Sequence, residues 1–333
     1  MNKQTANPAA DFSRLTPDHV LGYAETALGR RLSSVCRPLN SYINRVFELQ
    51  TEEREGVIAK FYRPGRWSHA ALLDEHEFLL ELAEREIPVV PPLLLENGKT
   101  IGEADEIFFA LFPKRLGRAC DEFQDEQWEE FGRLLARIHR VGAMHPPRDR
   151  ITISPTESTQ AHLSMILNSE LLPQSFHREY QLAAEEIIAA ATPLFKGAEA
   201  IRIHGDLHRG NIVHRPGESF YVIDFDDMAV GPVVQDFWML LPDYSRASLL
   251  EIDLFIEGYE TFRTFDRRTV RMIEALRGMR YIHFTAWLVA QARDANVARI
   301  AAGWGTTEYW RGEIRYLREQ LQEISATKNP MGW

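Results

Sequence analysis

Between residues 201 and 227 the chain reads IRIHGDLHRGNIVHRPGESFYVIDFDD, short apolar runs broken by Asp206, Asn211, Asp224, Asp226 and Asp227. The runs IRIH, NIVH and SFYVIDF have the length and β-branched content of buried strands rather than helices. Buried strands tolerate carboxylates only where these are paired, hydrogen-bonded or bound to a cation. Gly205 and Gly210 lie in a short loop that can bend Asp206 and Asn211 toward one point. Asp224 follows Asp206 by 18 positions, enough for a hairpin that returns it beside Asn211. The segment therefore predicts oxygen atoms gathered at strand ends.

Asn and Asp oxygens are hard donors suited to Mg²⁺, which completes its shell with water and substrate phosphates. Asn211 and Asp224 are the predicted metal ligands, and Asp224 counts with Asp206 as catalytic. Asp206 is left to accept a hydroxyl proton. That division suits phosphoryl transfer, where positioning and charge neutralisation supply most of the catalysis. The spacing D-x-x-x-x-N with a later strand-terminal D-F is also the catalytic part of the protein-kinase signature. It predicts ATP as donor, a lysine on an earlier strand and a glutamate on the helix after it. Lys60, within VIAKF, fits the lysine, since an unpaired ammonium there would be costly. Glu75 fits the glutamate, with Glu77 as competitor on another side of the same helix. No glycine-rich phosphate loop is present. PLNSYINRV takes its place, with Ser41 the expected nucleotide contact and Asn40 and Tyr42 as further donors. FFALFPK (108 to 114) is the expected hinge against adenine.

A chain of 333 residues exceeds what one core usually fills. Thr16-Pro17-Asp18 opens a helix that Gly29 ends. Strands are expected at 45 to 50, 56 to 63, 92 to 96 and 106 to 112, around a helix at 68 to 86. Beyond Pro113 the pattern turns helical, at 125 to 143, 235 to 241, 247 to 263, 267 to 293 and 306 to 326, with a polar excursion at 148 to 160. The predicted class is α+β, a bilobal protein-kinase-like fold with an N-terminal lobe at 1 to 112 and a helical lobe at 113 to 333. Residues 112 to 121 would connect them.

With 48 acidic against 38 basic residues and a net charge of −10, broad phosphate neutralisation on nucleic acid is not expected. Cys36 and Cys120 form no C-x-x-C pair, so neither a zinc site nor a disulfide framework is indicated. The N-terminus carries no apolar signal region and no run suits a membrane span, so a cytoplasmic protein is expected; a monomer is the expected state. Asp236 should anchor the catalytic loop through backbone or histidine contacts, and His204 should pack inside. Asp227 reads as a supporting group or an acidic wall for a cationic acceptor. The stripe Tyr281, Phe284, Trp287, Leu288 reads as core, or as the lining of an acceptor cleft. Only 11 residues separate Asp224 from Asp236, too few for a long activation loop.

HGDLHRGN, VIDFDD and GPVVQDFWML together resemble the aminoglycoside phosphotransferase and choline kinase group of kinase-like proteins. With NSYINRV, KFYRPGRW, DEHEFLLEL and ALRGMRYIHFTAWLVAQ added, the chain from about residue 36 to 310 is similar to a narrower bacterial family, stress response kinase A of the YihE type. The resemblance implies an ATP- and Mg²⁺-dependent serine/threonine protein kinase of the cytoplasm, linked to envelope stress and protection from cell death. It implies Asp206 as proton acceptor, Asn211 and Asp224 as Mg²⁺ ligands and Ser41 near ATP. The broader group alone implies a small alcohol acceptor of choline, aminoglycoside or homoserine type, so the acceptor stays open between protein and small molecule.

Overall fold

The computed structural model describes residues 12 to 119, 122 to 215, 217 to 292 and 301 to 327. Its contacts divide into two units, Met1–Glu122 with Pro146–Arg150 and Arg209–Met228, and Phe123–His145 with Ile151–His208 and Ala229–Trp333. This differs from the expected split at residue 112. Strand pairing is the reason: Ile212–His214 pairs with Arg118–Ala119 on one side and Tyr221–Val222 on the other. The Val222 amide also donates to the Pro88 carbonyl at 3.1 Å. Asn211 and Asp224 thus belong with Lys60, while Asp206 belongs to the second unit. Cys120 and residue 121, expected in the connection, and residue 293, expected at a helix end, lie outside the described residues.

The first unit is built on α1 (Pro17–Leu28) and a five-stranded antiparallel sheet in the order β1-β2-β3-β5-β4. Its strands are β1 (Leu32–Leu39), β2 (Arg45–Thr51), β3 (Gly56–Phe61), β4 (Gly102–Ala104) and β5 (Ile107–Pro113). Helix α2 (His69–Glu84) follows β3, opened by the Ser68 hydroxyl accepting from the Ala71 amide at 3.0 Å. Val20 and Ala24 of α1 join Leu49, Val57, Ala59, Phe61 and Leu111 in one buried core. Strand β1 was not foreseen, because LSSVCRPL is polar and holds a proline, as an exposed edge strand does. The strand expected at 92 to 96 is a loop. Pro91 and Pro92 lack donors, and the segment keeps only isolated bonds such as Leu93 N–H to Leu111 C=O at 2.7 Å.

The second unit is mainly helical, with α3 (Asp125–Gly142), α4 (Gln160–Leu167), α5 (Gln174–Phe195), α6 (Gln235–Trp238), α7 (Leu249–Glu260), α8 (Ile273–Ala290) and α9 (Thr307–Ala326). The helices α4 and α5 were not expected, although Tyr180, Ala183, Ala184, Ile187 and Ala191 carry the helical period on the buried side of α5. Helices α5, α8 and α9 share a core around Tyr180, Ile187, Met279, Ile282 and Trp310. Helices α3 and α7 touch backbone to backbone. A Cβ on Gly132 would lie 2.2 Å from the Phe255 carbonyl oxygen, and one on Gly258 would lie 2.0 Å from that of Glu129. Strand Ile201–Ile203 pairs with Ala229–Gly231 and carries the chain toward Asp206. Among the described residues no helix is long and apolar enough to cross a membrane.

Candidate active site

Lys60 lies inside β3 with 7% of its surface exposed. Its ammonium is 2.7 Å from Asp224 Oδ1 and 3.5 Å from Asp226 Oδ1. Burial alone would favour the neutral amine, but Asp224 and Asp226 outweigh it and hold the lysine pKa well above its ordinary value. Burial likewise opposes ionisation of Asp226, yet Lys60, Arg66 and Arg150 bring its pKa down to about 2. Arg66 forks between two carboxylates, touching Asp226 and lying 2.5 Å from Asp227 Oδ1. Asp227 is therefore engaged by an arginine, which weakens its reading as an acidic wall for a cation.

Asn211 closes the turn Arg209–Asn211, and its carbonyl accepts from the Ile223 amide at 3.0 Å. The register places Ile212 opposite Val222, so Asp224 stands one residue beyond the partner of Asn211. The hairpin expected from the sequence thus brings Asn211 and Asp224 to the same end. Asp224 has φ 62° and ψ 65°, the left-handed region. Aspartate is among the few L-residues that tolerate this conformation, at some cost. Its side chain is half exposed, whereas Asn211 is buried. The pair offers an amide and a carboxylate, both hard oxygen donors. Among the described residues no three His, Cys, Asp or Glu side chains could hold a metal ion unaided. An ion at Asn211 and Asp224 would draw further ligands from water or phosphate, which fits Mg²⁺.

The connection from β1 to β2 holds Ser41, half-buried, and Tyr42, which is exposed. It occupies the expected place of a nucleotide-covering loop. Its fixed point is Asn44, which the sequence reading passed over. The Asn44 amide oxygen accepts from the Arg63 N–H at 3.0 Å, and its NH₂ donates to Asp226 Oδ2 at 3.1 Å. The segment FFALFPK, expected as the hinge, lies mostly within β5, where Ala110 faces Lys60 in the β3–β5 ladder and only Lys114 lies past the strand.

The expected ion pair between Lys60 and Glu75 is not formed. Glu75 does face inward, 1% exposed, while Glu77 is half-buried and pairs with Arg148. The partner of Glu75 is Arg150, whose Nη2 lies 3.1 Å from Glu75 Oε2. Arg150 is fully buried. It also donates to the Ala71 carbonyl at 2.7 Å and the Asp226 carbonyl at 2.6 Å, with its guanidinium 4.4 Å from the centroid of the Trp67 ring. A planar fork of five donors can serve these acceptors together, which a lysine cannot. Nothing in the spacing around PPRDR marks Arg150 in the sequence.

Burial pushes the Glu75 carboxyl up to about 7, against the pull of Lys60 and Arg150. Its folded pKa exceeds its unfolded value, so the folded chain holds a proton that the unfolded chain releases between pH 4.5 and about 7. Stability from this group is full below that window and falls as pH rises through it. Urea midpoints at pH 5 and pH 8 should therefore show wild type losing ground to Glu75→Gln as pH increases; parallel midpoints would reject the assignment.

In the second unit, Asp206 follows strand Ile201–Ile203 in a loop held by Asp236. Asp236 Oδ2 accepts from the His204 amide at 2.7 Å, and Oδ1 accepts from the Gly205 amide at 2.8 Å. His139 Nε2 lies 3.1 Å from the same carboxylate, and its Nδ1 lies 3.0 Å from the Tyr259 hydroxyl. The expected anchoring by Asp236 and internal packing of His204 are both found. Gly205 has φ 85°, which its lack of a Cβ permits. The Gln235 side chain adds a bond to the Gly205 carbonyl at 3.0 Å. Arg280 of α8, not foreseen, lies 2.7 Å from Asp206 Oδ1.

Residues 35–273 match the APH phosphotransferase enzyme family. Stress response kinase A of Escherichia coli (strain K12) is 35% identical over 98% of this chain and 99% of its own. The serine/threonine protein kinase RdoA of Salmonella typhimurium (strain LT2) is 34% identical over 94% of this chain and 95% of its own. Among solved structures, amicoumacin kinase hAmiN, in complex with AMP-PNP, Ca²⁺ and Ami, has a TM-score of 0.72 at 20% identity, covering 94% of each chain. Spectinomycin phosphotransferase APH(9)-Ia has a TM-score of 0.64 at 14% identity, over 93% of this chain and 98% of its own. At such identities these two share the fold alone. The match across most of the chain, together with relatives similar over nearly their whole length, shows that the protein belongs to the phosphotransferase enzyme family.

Proposed function

We propose that this chain is a serine/threonine protein kinase that uses ATP and Mg²⁺, acting as a cytoplasmic monomer in a stress response. The observation that supports the phosphotransfer chemistry is the hairpin that carries Asn211 and Asp224 at the same end, with the Lys60 ammonium 2.7 Å from Asp224. The choice of a protein acceptor rests on the relatives at 34–35% identity, named as stress response and serine/threonine protein kinases.

Each residue has a role in this reading. Lys60 supplies a fixed positive charge for the donor phosphates, and Ser41 contacts the nucleotide from the β1–β2 connection. Asn211 and Asp224 hold Mg²⁺, which when bound neutralises phosphate charge during transfer. Asp206, five residues before Asn211, takes the proton from the acceptor hydroxyl while that oxygen bonds to the γ-phosphorus and ADP leaves. Glu75 supports the site indirectly, through Arg150 and the backbone of Asp226.

The test is transfer from labelled ATP, with Mg²⁺, to generic protein substrates and in parallel to a panel of amino alcohols. Label on protein that disappears in Asp206→Ala supports the reading. Rapid turnover confined to one small alcohol would replace it with a small-molecule kinase.

A further inference from the structure

The contact between Arg280 and Asp206 extends the reading of Asp206 as the proton acceptor, on which it rests. Arg280 Nη2 lies 2.7 Å from Asp206 Oδ1, with the two side chains 31% and 19% exposed. The pair is sheltered yet reachable. One turn earlier on α8, Arg277 is committed elsewhere. It pairs with Glu274 at 3.2 Å, donates to the Asp243 carbonyl at 3.3 Å and covers the Trp238 ring at 4.9 Å. Arg280 has no second carboxylate partner among the described residues. The contact is an ion pair without hydrogen-bond alignment, and the five donors of the guanidinium can meet a further oxygen ligand. The second carboxylate oxygen, Oδ2, lies 3.9 Å from His208 Nε2.

We infer that Arg280 is both a positioning residue for Asp206 and a selectivity element, turning away acceptors that carry a protonated amine close to the reacting hydroxyl. A cation brought to Asp206 meets a guanidinium already seated on the carboxylate. Specificity commonly needs such a repulsive element as well as an attractive one. The favoured acceptor is a hydroxyl with neutral or anionic surroundings.

The experiment uses two matched pairs of acceptors with labelled ATP and Mg²⁺: serine peptides differing only by lysine or norleucine beside the serine, and 3-aminopropanol against 1-butanol. For whichever pair is phosphorylated, wild type should favour the neutral member in kcat/KM by at least about tenfold. Arg280→Met should erase that preference and lower kcat for the neutral member. Arg280→Lys should keep the preference, since the charge remains, while kcat falls because a point-charge ammonium replaces the planar guanidinium seated on Asp206. If Arg280→Met does not fold, Arg280→Gln makes the same comparison with a neutral polar side chain. A wild type that favours the cationic member, or a neutral variant that keeps the full preference, overturns the inference while leaving the kinase reading intact. Failure of wild type to label either pair or any generic protein substrate overturns both.

Discussion

Asp206→Asn should lower kcat by roughly 10²- to 10⁴-fold. The substitution keeps the size of the side chain but removes its capacity to take a proton. The loop should remain in place, because Asp236 holds it through the His204 and Gly205 amides at 2.7 and 2.8 Å, bonds that the substitution leaves intact. Nucleotide binding should persist, since Lys60, Asn211 and Asp224 belong to a different contact unit. Single-turnover transfer from labelled ATP together with direct nucleotide titration separates these outcomes. Retention of more than about a tenth of wild-type kcat would remove Asp206 from the role of base, because general-base contributions are larger than that.

Arg150→Met should destabilise the first unit by about 3–5 kcal/mol, the usual cost of stripping one partner from a buried ion pair. Glu75 would lose its ion-pair partner at 3.1 Å, and the Ala71 and Asp226 carbonyls would lose donors at 2.7 and 2.6 Å. Methionine fills part of the volume but satisfies none of these acceptors. The double variant Arg150→Met with Glu75→Gln should recover part of the loss, because the single change leaves a buried carboxyl that must either stay charged without Arg150 or take up a proton. Urea unfolding of the four proteins in the cycle measures the coupling. A shift below about 1 kcal/mol for Arg150→Met would place the contact in the class of solvent-screened pairs, and Arg150 would cease to explain how α2 is tied to the segment after Asp224.

The local placement of residues 201 to 227 was legible because hydrogen-bonding and strand geometry act over short distances along the chain. A hairpin that pairs Ile212 with Val222 necessarily brings Asn211 and Asp224 to one end. The same holds for α1 and α2, whose caps Thr16 and Ser68 lie within three residues of the amides they satisfy. The edge strand β1 escaped notice because its polar side faces outward and leaves no alternation to read.

The ion-pair scheme was not legible. The sequence supplied a lysine, a glutamate and several aspartates, and the familiar pairing of Lys60 with Glu75 followed from analogy. The folded chain instead inserts Arg150, 75 residues after Glu75, between that glutamate and the Asp226 backbone, and leaves Lys60 to Asp224. The choice of Arg280 as neighbour of Asp206, 74 residues away, is of the same kind. Charges attract any opposite partner without directional code in the sequence, so which pair forms is settled by the packing that brings side chains within reach. Sequence alone determined the kinds of oxygen and cation this protein deploys and their local order at the strand ends; tertiary packing decided which cation answers each carboxylate, because burial makes only a few of those encounters stable.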